Sequence, residues 1–143
     1  MTAFVLLVAS ALVPSFVPPS DTALRRAPMA IPLECDAQST LFVSVSLPGA
    51  ARRRFLLDTG ASVSLLDRTL AQRLRLTPVG RIPSPSGFDT LVSSDMSVGS
   101  LALGSRTFAA TDLTPIRRMV GHVDGIVGAD LLRQGARALI DSI

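Results

Sequence analysis

The chain has 143 residues, 48% of them hydrophobic, with no Trp or Tyr, and all of its 14 basic residues are arginine. That length allows one domain, and a formal charge of +3, with the arginines scattered except at Arg52–Arg54 and no aromatics between them, excludes a nucleic-acid footprint. One cysteine, Cys35, and one histidine, His122, exclude an internal disulfide and a Cys- or His-based zinc site, so neither cofactor nor metal is implied.

In chain order, residues 1–20 carry no charged side chain, and the apolar run from Ala3 to Val13 has the pattern of a signal peptide core or a membrane anchor. The run falls short of the roughly 20 apolar residues of a membrane span. Arg25 and Arg26 follow it. The expectation is export (periplasmic, secreted or membrane-anchored), with membrane association through this segment possible. Residues 21–38 read as a linker, and residues 39–143 as the folded domain.

Leu41, Val43, Val45 and Leu47 alternate with Phe42, Ser44 and Ser46, the period of a strand. Pro48-Gly49 marks a turn. Arg53, Phe55 and Leu57 return as a second strand ending at Asp58, and Arg52–Arg54 reads as a solvated hairpin face. Leu66, Leu70 and Leu74 recur at helical spacing, with Asp67 as N-cap and Pro78 beyond the end, so a short helix is expected over Leu65–Leu76. Residues 79–90 read as a hairpin with "PSPSG" at its tip and Phe88 packing against it. "LVSSDMSVGSLALGSRTFAATDL" predicts two or three strands with turns at Gly99 and Gly104. "HVDGIVGADLLRQG" predicts a strand, a glycine and a short helix, and "ARALIDSI" a last strand. About seven strands and two short helices make an all-β class, mainly β with two short helices.

Asp58 stands out. It is flanked by Leu56 and Leu57 on one side and by Ala61, Val63, Leu65 and Leu66 on the other. A carboxylate in apolar surroundings is costly without compensation, so Asp58 either caps a turn or serves chemistry. "LLDTGASVSLL" and "DGIVGADLL" also superpose at Gly60 and Gly128, with Asp58-Thr59 where Ile126-Val127 lies. Asp124, before Gly125, reads as a turn carboxylate; pairing it with Asp58 within one chain is the alternative. Ser62 or Ser64 as a nucleophile has only His122 as base, and His122 reads as a loop residue.

Apolar-apolar-Asp58-Thr59-Gly60-Ala61-Ser62 after a hairpin resembles the active-site segment of the retropepsin-like aspartic proteases, and Asp124–Leu132 resembles that family's apolar-apolar-Gly hallmark and the helix after it. The order of elements agrees, and the resemblance covers residues 40–141, closest to the short, single-domain bacterial members. The prolines at the flap tip depart from the family's Gly-rich pattern. The resemblance implies an acid-protease barrel with one lobe per chain, completed by homodimerisation, and an aspartic endopeptidase acting on polypeptide substrates. Such hydrolysis needs one carboxylate as base on water and another as acid; two carboxylates about 3 Å apart share one proton, as is established for aspartic proteases. Asp58 from each subunit would form the dyad. Thr59 would brace the partner loop, and Gly60 would let backbone amides approach the carboxylate. Ala61, Ser62, Ser86, Gly87, Phe88, Ile126, Val127 and Gly128 are the candidate substrate-binding positions, with a flap over Arg81–Thr90 closing on substrate. "LFVSVSL" and "ARALIDSI" are expected to be exposed sheet edges that pair between subunits. The alternative is a catalytically silent, dimeric binding or scaffold module of the same fold.

Overall fold

A computed structural model describes residues 31–133. The chain runs β1 (Leu33–Cys35), β2 (Leu41–Leu47), β3 (Ala50–Leu57), β4 (Leu65–Asp67), α1 (Arg68–Arg73), β5 (Thr77–Ser84), β6 (Gly87–Val98), β7 (Leu101–Thr111), α2 (Thr114–Val120) and β8 (Gly125–Val127). Residues 129–133 are again helical. The fold is mostly β, as the alternation of apolar residues predicts. The last strand expected over Ala136–Ile143 and the signal or anchor segment expected over residues 1–20 lie outside the described residues.

The strands close on themselves. Pairing runs β2-β3-β8-β4-β7-β6, and β6 returns to β2, giving a six-stranded barrel with β1 and β5 appended. Antiparallel hairpins account for β2–β3 and β6–β7. The unusual part is β8, which runs parallel to β3 and antiparallel to β4. All three of its residues are buried, as expected for a strand with neighbours on both sides and cover on both faces.

Two apolar clusters fill the fold. The larger contains Val43, Val45, Phe55, Leu66, Leu70, Val92, Met96, Phe108 and Val127 among others. Phe55 and Phe108 meet edge-to-face, centroids 6.3 Å apart at 64°, a geometry that adds roughly 0.5–1.5 kcal/mol beyond burial. The smaller contains Phe42, Leu113 and Val123. Gly125 fits because it has no side chain: a Cβ there would strike the Phe55 ring and stand 2.6 Å from the Leu65 carbonyl oxygen.

Several expectations change in the fold. Leu41–Leu47 is no exposed edge: β3 pairs along one side, and β1 and β6 share the other. Part of the expected linker, Leu33–Cys35, is therefore a strand. The helix expected from Leu65 starts at Arg68, because Leu65–Asp67 is drawn into the ladder between β7 and β8. Asp67 caps it as expected, its carboxylate accepting Leu70 N–H at 3.0 Å. Gly104 is no turn but sits beside a bulge where the β6–β7 register slips between Met96 and Ser97, with φ of 70°. The helix α2 was not foreseen. Arg54 is not simply solvated: its guanidinium lies 3.4 Å from the centre of the Phe42 ring and bonds Glu34 at 2.7 Å and the His122 carbonyl at 2.9 Å. Among the described residues no helix is long and apolar enough to cross a membrane.

Candidate active site

Parallel pairing of β3 with β8 brings two loops out of the barrel side by side. The register Leu56 to Ile126 and Leu57 to Val127 sets Asp58 beside Gly128. Asp58 N–H continues the ladder to the Val127 carbonyl at 3.0 Å. The chain then turns: Ala61 N–H donates to the Asp58 carbonyl at 3.2 Å, and Gly60 N–H donates to Asp58 Oδ1 at 2.9 Å. A Cβ on residue 60 would lie 3.2 Å from that same oxygen, so glycine keeps the carboxylate's approach open. Asp58 itself is half-buried, and Thr59, Gly60 and Ser62 are exposed. Its carboxylate accepts one hydrogen bond among the described residues, which leaves lone pairs for water or a second acid.

The second loop locks onto the first. Ala129 N–H donates to the Ala61 carbonyl at 2.7 Å. Gly128 N–H donates to Ser64 Oγ at 2.9 Å, and Ser64 Oγ–H donates to Asp130 Oδ1 at 2.6 Å. A Cβ at residue 128 would stand 2.7 Å from the Ala61 carbonyl oxygen and 3.1 Å from that of Val63. The apolar-apolar-Gly pattern is thus explained by contact: Ile126 and Val127 are buried in the barrel, and Gly128 is where the two backbones touch. Ile126 and Val127, candidate substrate-binding positions, are both buried in this chain.

The flap hairpin is where its sequence puts it. β5 and β6 pair from Thr77–Ser93 to Ser84–Gly87, and Pro85-Ser86 forms the two-residue tip. Gly87 takes φ of 119°, a conformation that favours glycine. Ser86, Gly87 and Phe88 are all exposed. Phe88, expected to pack, is 60% exposed, with the Arg81 guanidinium 5.1 Å from its ring centre. Asp89 at the flap base is buried and paired to Arg68 of α1 at 3.0 Å.

Asp67, Asp89, Asp124 and Asp130 are each engaged by donors. Gly125 pairs with Phe55, so Asp124 is level with Arg54, four positions from Asp58 along β3, or ~13 Å at the usual strand rise. A dyad within one chain from these two is therefore excluded. Asp124 accepts Arg54 N–H at 3.3 Å and lies 3.4 Å from His122 Nε2. His122 is accordingly at the end of β8 away from Ser62 and Ser64, and no Ser-His pair forms. Asp67 caps α1 and bonds Arg117 at 3.1 Å. Among the described residues no group of three or more His, Cys, Asp or Glu side chains is placed to hold a metal ion. Sequence reasoning missed Ser64 and Asp130 as partners; the only signal was their place after the two matching glycines.

A closed barrel with an Asp-Thr-Gly loop packed against an apolar-apolar-Gly loop is the architecture of a retropepsin-like aspartic protease domain. The aspartyl protease family model matches residues 43–131, well over half of the chain, and the chain belongs to that family. No curated protein matches it. Among solved structures it is similar to the retroviral protease-like domain of Ddi1 from Leishmania major, with 19% identity over 68% of this chain and 74% of that one and a TM-score of 0.47. It is also similar to a retropepsin-like aspartic protease from Rickettsia conorii, with 16% identity over 73% of this chain and 88% of that one and a TM-score of 0.49.

Proposed function

We propose that this protein is an aspartic endopeptidase whose catalytic pair consists of Asp58 from each of two copies of the chain. The observation that carries this reading is the unequal state of the acids. Asp58 stands half-exposed with one hydrogen bond, whereas Asp67, Asp89, Asp124 and Asp130 are each held by amides or by charged side chains. Among the described residues the paired loops thus carry one free carboxylate, and carboxylate-catalysed peptide hydrolysis needs two. A twofold axis beside the Asp58 loop makes residue 58 meet its own copy. In the pair, one carboxylate is ionised and takes a proton from water as the water attacks the peptide carbonyl. The other is protonated and donates to the carbonyl oxygen. Thr59, Gly60, Ala61 and Ser62 shape the rim, and the Thr77–Val98 hairpin closes over the bound polypeptide.

The test is cleavage of a mixed peptide library between pH 4 and 7, with and without pepstatin, at a series of enzyme concentrations. Specific activity should fall on dilution as dimers dissociate, and pepstatin should suppress it. Full, dilution-independent activity from a monomer seen by light scattering would overturn the two-chain site. No pepstatin-sensitive cleavage at any concentration would overturn the protease reading.

A further inference from the structure

One carboxylate joins the two loops at the Asp58 end, and its chemistry is more demanding than packing requires. Asp130 Oδ2 accepts Ser64 N–H at 3.0 Å, and Oδ1 accepts both Ser64 Oγ–H at 2.6 Å and Leu131 N–H at 2.8 Å. Ser64 is fully buried, with 0% exposure, and its Oγ accepts Gly128 N–H at 2.9 Å. Every hydrogen-bond partner of the Asp130 carboxylate among the described residues is therefore a donor, and two of them are fixed backbone amides. An ionised carboxylate accepts all three; an amide of the same shape must turn its NH2 against one of them. Together with Asp58 N–H on Val127 and Ala129 N–H on Ala61, these bonds hold residues 58–64 at both ends and in the middle.

We propose that Asp130 is a positioning residue: through Ser64 it fixes the loop that presents Asp58, without touching substrate itself. This rests on the endopeptidase reading above. A dyad is sensitive to such support, since a misplacement of about 1 Å can cost roughly 10²-fold in rate. The bland rival is that Ser64 and Asp130 merely stabilise the barrel.

Two variants of the full chain, Asp130→Asn and Ser64→Ala, separate these roles. Each should lower kcat by about 10²-fold while KM stays within roughly threefold, because ground-state binding is left in place. The pH profile of kcat should shift, since the spacing of the two Asp58 groups sets how they share their proton. The double variant should be no worse than the worse single one, as residues acting as a unit are not additive. Amide exchange at Ser64 and Gly128 should rise in both variants, while that of Val92 and Phe108 in the β6–β7 ladder should not. If Asp130→Asn fails to fold, Ser64→Ala, which removes one oxygen, decides alone. Variants that melt earlier but keep the wild-type kcat and pH profile when folded overturn the proposal. If the wild type cleaves nothing, the endopeptidase reading fails by itself. The exchange measurement then still judges the clamp, and unchanged exchange at Ser64 and Gly128 overturns it.

Discussion

The two ends of the parallel pair β3–β8 treat their carboxylates differently. At one end Asp124 is buried against Arg54 N–H and His122, and its backbone bonds both Arg54 and Asp67. Beside it Asp67 holds the first turn of α1 and the Arg117 guanidinium. At the other end the Asp58 carboxylate accepts, among the described residues, only Gly60 N–H and remains partly open to solvent. A buried carboxylate is tolerated when donors saturate it, and saturation removes the lone pairs that chemistry needs. The Asp124 end is built to hold the fold. At the Asp58 end, support comes from the neighbouring backbone and Asp130, so the acid itself stays unsaturated.

The strongest way to break this contrast is to change Asp58 itself. Asp58→Asn keeps the shape and the Gly60 bond but cannot serve as base, so kcat should fall by about 10³-fold or more, with the melting temperature and oligomeric state unchanged. Wild-type turnover in that variant would end the aspartic mechanism. At the opposite end the signs should reverse. Asp67→Ala removes a helix cap and the carboxylate that pairs with Arg117, at a cost of about 2 kcal/mol in denaturant unfolding, while folded protein keeps its kcat. A large loss of turnover without loss of stability would show that the two ends are coupled.

A smaller effect is expected at His122, which is 69% exposed. His122→Ala should leave kcat within about threefold, whereas a loss of roughly 10³ would revive a Ser-His mechanism, for which such losses are typical. The smallest effect concerns Asp112, just before α2. Hydrogen bonds from Thr114, its hydroxyl first and its N–H at 2.9 Å second, hold the Asp112 carboxyl below its ordinary value of 3.8. A lowered folded pKa means that the ionised group contributes stability above its unfolded value, and that this contribution is lost as pH falls through the folded one. The difference in melting temperature between wild type and Asp112→Asn should therefore be constant from pH 7 to 5 and shrink below about pH 4. A difference that grows on acidification would reverse the sign and refute the assignment.

What could be read before the fold was local. Period-two alternation identified β2 to its ends, Pro48-Gly49 and Pro85-Ser86 fell at turns, and Asp67 capped its helix. What escaped depended on partners far along the chain. Leu65–Asp67 fits a helix by spacing, yet it pairs with Ala109–Thr111 and Gly125–Ile126. Gly104 carries the signature of a turn, and only the slipped register opposite Met96 makes it part of a bulge. α2 is only seven residues long, and its apolar face is the single i, i+4 pair Ile116 and Val120, half-buried against Phe42, Leu113 and Val123, a stripe too short to stand out in the sequence.

The sequence by itself determined the turn of the candidate site, because Asp58, Thr59 and Gly60 are consecutive and their turn is made by bonds spanning two or three residues. It also determined the class of fold, because apolar alternation commits each strand to a buried face whatever its neighbours are. Only the tertiary structure decided which loop lies against Asp58, why Gly125 and Gly128 admit no side chain, and that Asp130 reaches Ser64 across 66 positions. Those are contacts between segments distant in the chain. They are set by closure of the barrel, in which β8 slots between β3 and β4, and no local preference encodes that choice.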